Sequence, residues 1–346
     1  MTPPGLSWRI GLAWSAVVLA SWLVHASVAA QPPAAGSQEL VVSRATRLMV
    51  IAPHPDDGVL GGAGLIQRVL RLGGTVRVVQ ITSGDAFSTA MKAATHVARP
   101  TAADYRRYGV RRERESEAAM TALGVPRADL LTLGFPDDGL CELAPARQPL
   151  TAVAFESPYT KRASPPRSEQ LLSHIAYRGV DLERELRHIL VAFRPTIVLL
   201  PDPHDEHPDH CTTHLWVHEA LDDVADARPP VAPRRLHYLV HFPHWPTAIT
   251  DAGRPAGLTP PVKLAGNNAQ WKTLTLTARE RVTKARAIEQ YASQVLAIGP
   301  FLHDFERSNE LFQEGEPEGH VACWCRGDDV APVRREAGRH SATAKQ

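Results

Sequence analysis

Cysteine is scarce in this chain: four in 346 residues, at Cys141, Cys211, Cys323 and Cys325. No C-x-x-C occurs among them, which excludes a thioredoxin-type motif and a zinc ribbon. Their number and irregular spacing do not make a disulfide scaffold. Cys323-Trp324-Cys325 lacks the second pair that a metal knuckle needs. The expectation is one bridge, between Cys141 and the Cys323/Cys325 region, and no other cysteine role. Aromatic residues are also few, at 6%, whereas there are 29 prolines. This speaks for long proline-bearing loops rather than an all-β sandwich. Charge of either sign is not in excess: 38 Lys+Arg against 37 Asp+Glu give a formal +1. Neither a basic nucleic-acid surface nor an acidic tail is indicated. With 44% hydrophobic and 22% charged residues, a wholly disordered, collagen-like or coiled-coil chain is excluded. No internal repeat is present.

Long apolar runs are absent after the first 30 residues. Within them, Arg9 precedes a mostly apolar run from Ile10 to Val24, broken by Ser15 and Ser21. Val28-Ala29-Ala30 then gives a small-residue exit, followed by Gln31-Pro32-Pro33. This pattern reads as a secretory signal peptide cleaved after Ala30. The alternative, a retained membrane anchor, has an apolar run short of the ~20 residues that a span needs. No cysteine adjoins the cleavage site, so a lipoprotein is not expected. The expected organisation is a signal peptide (1–30), a flexible linker (31–43), a single α/β domain (44–326) and a flexible tail (327–346). Insertions are expected near 86–108 and 142–178. The mature chain is expected to be secreted or periplasmic, without a stable membrane span.

What remains is an alternation of strands and helices. Leu48 to Ala52 is a short continuous apolar run, the mark of a strand buried on both faces. Val59 to Leu72 has helical periodicity and stops at Gly73-Gly74. Strands are expected at Thr75 to Thr82, Asp129 to Leu133, Thr196 to Leu200 and Leu236 to Phe242. Helices are expected at Val110 to Leu123, Val180 to Phe193, Asp209 to Val224, Ala278 to Val295 and Phe301 to Phe312. Ala86 to Tyr108 reads as irregular. Pro243 to Thr275 reads as loop, with room for a short antiparallel pair. The fold class is therefore a Rossmann-like α/β fold, an open, mostly parallel sheet with helices on both faces. In such sheets ligands bind at the edge where the strands end.

Two polar clusters fall at that edge. His54-Pro55-Asp56-Asp57 follows the first strand, and His204-Asp205-Glu206-His207-Pro208-Asp209-His210 follows the fourth. Each holds imidazole and carboxylate, the donors that suit Zn²⁺ or a neighbouring divalent ion. A hydrolytic centre needs about three ligands with an open position, a base beside it and a donor for the oxyanion. Adjacent aspartates can divide ligation and base work, because neighbouring side chains point apart. Of His207 and His210, one can ligate while the other serves the oxyanion. With sixteen histidines in the chain, either cluster alone is weak; both after buried strands are much stronger.

Ala52-Pro53-His54-Pro55-Asp56-Asp57 with Gly61-Gly62 resembles the opening motif of the PIG-L/LmbE-like N-acetylglucosaminyl deacetylase family. Thr82-Ser83-Gly84-Asp85, Arg112-x-x-Glu115 with Leu123-Gly124, His207-Pro208-Asp209-His210 and Tyr291-Ala292-Ser293-Gln294 also fit it. The resemblance spans Leu48 to Phe312. It implies a Rossmann-like LmbE fold and a zinc-dependent hydrolase that removes an N-acetyl group from an amino-sugar-containing substrate. It implies His54, Asp57 and His210 as metal ligands, Asp56 as general base and His207 as the oxyanion-stabilising group. Asp209 is read either as an orienting partner of a histidine or as a helix-start residue. Arg112 and Glu115 are read as a structural ion pair in preference to residues near the site. Many members carry Glu where this chain has Gly58, so a contact near the metal is expected to be missing. His241, His244 and Trp245, after the fifth strand, are candidates to line the pocket, with packing or solvation as the preferred reading.

The partner implied is an N-acetylated sugar or glycoconjugate. A dinucleotide site is excluded, because Gly61-Gly62-Ala63-Gly64 has the wrong spacing and lies inside a helix. A G-x-S-x-G serine hydrolase motif is absent. A metal-dependent hydrolase of another amide or an ester, and a non-catalytic carbohydrate-binding relative, remain as rival readings.

Overall fold

The computed structural model describes residues 37–144, 153–246, 257–265, 270–315, 323–325 and 328–330. The segment read as a signal peptide, residues 31–36 of the linker and most of the tail lie outside them.

The chain opens with β1 (Ser37–Glu39) and β2 (Arg47–Ala52), then α1 (Asp57–Arg71), β3 (Thr75–Thr82), α2 (Ser88–Thr95), α3 (Ala102–Leu123) and β4 (Leu130–Phe135). After a loop come α4 (Gly179–Phe193), β5 (Ile197–Pro201), α5 (Pro208–Ala225) and β6 (Arg234–Tyr238). The chain continues with β7 (Gln270–Thr275), α6 (Ala278–Ile288), α7 (Ala292–His303) and β8 (Asn309–Glu314). A small antiparallel pair, β9 (Cys323–Cys325) and β10 (Asp328–Val330), follows.

The main sheet runs β1-β7-β8-β6-β5-β2-β3-β4. β2, β3, β4, β5 and β6 pair in parallel; β8 runs antiparallel to β6 and β7. The expected fold class is thus the observed one. Side-chain alternation in β2 shows how both faces are covered. Leu48 and Val50 join one core with Val59, Leu65, Ile66 and Val69 of α1. Met49 and Ile51 join the opposite core with Leu186 and Leu190 of α4 and Trp216 and Val217 of α5. Gly62 lets α1 lie close to the sheet, since a Cβ there would meet Leu199 Cδ2 at 2.5 Å.

Three stretches differ from the sequence expectation. Ser37–Glu39, inside the expected flexible linker, form β1 and pair in parallel with β7. Residues 86–108 are largely helical, holding α2 and the first turns of α3. α3 starts at a capping box in which the Asp104 carboxylate accepts from Thr101 N at 2.8 Å. Its first turns are rich in Arg, Asp and Tyr, so apolar period does not reveal them. Residues 309–312, expected at the end of a helix, form β8 together with 313 and 314. Its polar members are buried and partnered: Glu310 accepts from Gly64 N (2.7 Å), Leu65 N (2.9 Å) and Lys284 Nζ (2.9 Å). A central strand with buried polar residues lacks the apolar run that marked the others.

The sulfur pairing goes beyond the single bridge expected. Cys211 is bonded to Cys323, 112 residues away, with Cα atoms 5.4 Å apart. Cys141 is disulfide-bonded as well, and among the described residues no cysteine is free. Packing explains it, because Cys141, Cys211 and Cys323 share one apolar cluster with Ala144 and Leu215. Among the described residues no helix is long and apolar enough to cross a membrane.

Topology places the site. From β2 the chain winds outward to β3 and β4, then returns to place β5 on the other side of β2. The crevice between β2 and β5 is the point where winding reverses, the usual ligand position in such sheets. His54 follows β2 and His207 starts α5 after β5, so clusters about 150 residues apart in sequence meet there.

Candidate metal centre and active site

The five residues expected at the site are brought together. His54 Nδ1 lies 3.1 Å from Asp57 Oδ2, His210 Nε2 lies 3.1 Å from the same oxygen, and the two nitrogens are 3.3 Å apart. His54, Asp57 and His210 are buried. Local structure aims them. Asp57 is the first residue of α1, and its carboxylate accepts from His54 N at 2.8 Å, closing the loop after β2 on itself. His210 stands in the first turn of α5, which His207 caps and Pro208 opens.

The remaining ring nitrogens decide what this trio can hold. His210 Nδ1 faces Asp205 Oδ2 at 3.1 Å, an oxygen that also accepts from Val240 N (2.9 Å) and His241 N (3.0 Å). His54 Nε2 faces Asp137 Oδ1 at 3.2 Å and Asp209 Oδ2 at 3.4 Å. A carboxylate partner keeps the proton on the nitrogen that faces it. Each neutral imidazole then turns a lone pair on its other nitrogen toward Asp57 Oδ2. Three lone-pair donors converge on one point, and a proton or a cation must lie among them. Four carboxylates surround the two rings, so positive charge is favoured there. Burial opposes charge on His210, but Asp205 and Asp57 outweigh it and raise the imidazole to about 9. Burial likewise opposes ionisation of Asp57, yet His210 and His54 hold its carboxyl well below the usual carboxylate range. The donor set, two imidazoles and a carboxylate backed by further carboxylates, fits zinc or a similar divalent ion.

Around the trio lies a cavity of about 470 Å³. Asp56 and His207 line it, with Arg112, Asp137 and His241. Leu60, Phe87, Ile298 and Phe301 form an apolar wall. Asp56 Oδ1 accepts from Arg112 Nη2 at 2.8 Å, and Arg112 Nη1 donates to Gly84 O at 2.9 Å. The expected Arg112–Glu115 pair is therefore corrected: Arg112 serves Asp56. Glu115 instead accepts from Arg111 Nε (3.0 Å) and from Ser293 N (3.1 Å) and Oγ (2.6 Å), tying α3 to α7. One helical position separates the two roles, and sequence spacing alone does not resolve it.

His207 Nδ1 accepts from Asp209 N at 3.2 Å, which leaves the ring proton on Nε2. Burial, with the charges of His54, His210 and His241, lowers the His207 imidazole and keeps it neutral. Both readings of Asp209 are realised together. It stands in the first turn of α5, and its carboxylate faces His54 while accepting from Asp138 N (2.8 Å) and Leu140 N (3.1 Å). Gly58 does not face the donors. A Cβ there would meet Val50, Ala52 and Met120 at 3.4–3.7 Å, within the apolar layer beneath α1. The expected missing contact near the metal is thus not where this position points.

Sequence reasoning missed Asp137 and gave Asp205 no role. Burial opposes ionisation of Asp137, but the hydrogen bond and charge of His54 hold its carboxyl at about 2. A signal existed: Asp137 follows β4 at the same sheet edge as the two clusters. His241, read as packing, lines the cavity and stacks on Phe301 with ring centroids 5.4 Å apart.

Residues 49–221 match the sequence model of the family PIG-L, GlcNAc-PI de-N-acetylase. The chain belongs to the PIG-L family. The match contains His54, Asp56, Asp57, Arg112, Asp137, His207 and His210; His241 and Phe301 lie beyond it. No curated protein sequence matches the chain. Among solved structures, the 4-carboxy-2-hydroxymuconate hydratase GalB from Pseudomonas putida KT2440 is 16% identical and has a TM-score of 0.50. That alignment covers 79% of this chain and 97% of the hydratase. The A40926 pseudoaglycone deacetylase Dbv21 is 18% identical, with 80% and 99% covered and a TM-score of 0.49. The N,N'-diacetylchitobiose deacetylase from Pyrococcus horikoshii is 18% identical, with 78% and 83% covered and a TM-score of 0.47. At that identity the likeness to the hydratase is one of fold alone.

Proposed function

We propose that this PIG-L family protein is an exported, divalent-metal-dependent de-N-acetylase. It hydrolyses an N-acetyl group of an amino-sugar-containing substrate to acetate and a free amine. The observation that carries the reading is the convergence of His54 Nδ1, Asp57 Oδ2 and His210 Nε2 beside a carboxylate, Asp56, that is not one of them.

When bound by these three residues, zinc or another divalent ion polarises an amide carbonyl and acidifies a water. Asp56, held by Arg112, takes the proton of the attacking water. His207, neutral and protonated on Nε2, donates to the oxyanion as the carbonyl carbon becomes tetrahedral. This assigns the oxyanion donor to a neutral ring rather than an imidazolium. The departing amine receives its proton from Asp56 or His207. The apolar lining of Leu60, Phe87, Ile298 and Phe301 limits water in the cavity.

Export rests on the N-terminal charge and apolar pattern, and the oxidised Cys211 and Cys323 suit a secreted or periplasmic setting. The test is release of acetate and primary amine from a panel of N-acetylated glycans and glycoconjugates, with and without chelator. Amine release that stops with chelator and returns with zinc is the expected result. Activity indifferent to chelation, or ester hydrolysis without amide hydrolysis across the panel, overturns the proposal.

A further inference from the structure

α5 carries histidines beyond the site just described. His210, His214 and His218 follow at successive turns, and β6 presents His237 beside the last two. The rings of His214 and His218 stack with centroids 4.1 Å apart; those of His214 and His237 are 5.2 Å apart. His218 Nε2 and His237 Nε2 face each other at 3.3 Å, the same separation as the two imidazole donors of the first site. One ring nitrogen from each of the three lies within 4.8 Å of the others.

The other nitrogens again fix the tautomers. His214 Nδ1 donates to Pro201 O at 3.2 Å, and His237 Nδ1 donates to Gln313 O at 3.3 Å. Both carbonyls accept only, so both rings keep a bare Nε2. His214 and His237 are buried, while His218 is half-exposed. Burial, with the neighbouring His218 and His237, holds the His214 imidazole well below its usual range, so no proton competes for its lone pair. The spacing of His214 and His218, one helical turn, suits a shared ion.

We propose that His214, His218 and His237 form a second metal site, separate from the first, that takes a borderline divalent cation such as Zn²⁺, Co²⁺, Ni²⁺ or Cu²⁺. Three imidazoles without a carboxylate select these ions over Mg²⁺ and Ca²⁺. The site shares no ligand with the first. His210 and His214 are one turn apart on α5, about 6 Å along the axis. His218 must offer Nε2, which moves its proton to Nδ1. There Arg235 Nη1 now donates at 3.0 Å, so Arg235 turns toward Asp222, which already accepts from its Nη2 at 2.8 Å. The half-exposed edge at His218 leaves an open position for water. An ion here ties α5 to β6 and braces the helix that presents His210.

The test is titration of metal-free protein with Co²⁺, read by visible absorption and by metal content after gel filtration. The wild-type chain is compared with His218→Leu, whose half-exposed position tolerates replacement. The number of ions lost on substitution decides, whatever the first site holds. Loss of one bound cobalt per chain, with its share of the spectrum, is the expected result. Circular dichroism of the variant verifies its fold, and His237→Gln must remove the same ion. Equal cobalt content in the wild type and His218→Leu overturns the proposal. So does a bound ion lost from one variant and kept by the other.

Discussion

Asp56 and His210 are separated in role by what each touches. Asp56 ends on Arg112, whereas His210 ends on Asp57 and Asp205. Asp56→Asn should therefore keep the bound metal while turnover falls by about two to four powers of ten. His210→Ala should lose the metal itself; metal content and amine release on the same samples separate the two effects. Arg112 acts through Asp56, so Arg112→Met should lower kcat about a hundredfold with metal content unchanged and KM nearly so. A rise in KM alone would assign Arg112 to substrate binding instead. Away from the centre, Glu169 offers a pH signature. Its carboxyl is raised from 4.5 to about 8, by burial first and by Glu113 second, and its Oε2 is buried without a hydrogen-bond partner. Between those pH values the native chain keeps a proton that the unfolded chain has released. The native state binds more protons there, so stability is lost as pH rises toward 8. The melting temperature should fall across this window, and Glu169→Gln should make the fall shallower.

At the level of helices and strands, what was legible followed from burial pattern. β2 and β5 carry continuous apolar runs and β3 is rich in β-branched residues, and their pairing side by side puts both polar clusters at one crevice. β8 was not legible, because Glu310 is buried for its bonds to α1 and Lys284 rather than for its hydrophobicity. Nor were the partnerships of Asp137, Asp205 and Arg112. Each depends on which strand end or helix face lies opposite, and the sheet order alone decides that. The first turn of α1 supplies a test of its own. Gly58 has ordinary contact room for a methyl group and helical backbone, so Gly58→Ala should stabilise the chain by up to about 1 kcal/mol. Denaturant unfolding measures this, and activity should stay near wild type because the position faces the core.

Over the whole molecule, the Cys211–Cys323 bond closes a span of 112 residues. Loops of this size correspond to about 5 kcal/mol of stabilisation in the chain-entropy view, chiefly through the unfolded chain. Cys323→Ser should lower the melting temperature by several degrees. It should also weaken zinc binding at the first site, measured by competition with a chromophoric chelator, because Cys211 adjoins His210. Unchanged zinc affinity would mean that α5 holds its first turn without the bond.

A donor of the centre and a bonded sulfur are thus consecutive residues on one turn of backbone. Thiol chemistry reaches the hydrolytic machinery through a single peptide link. A newly made chain among reduced thiols would hold His210 on a helix fastened by its apolar face alone, with Trp216 and Val217 in the core. The turn that carries His210 would be the looser for it.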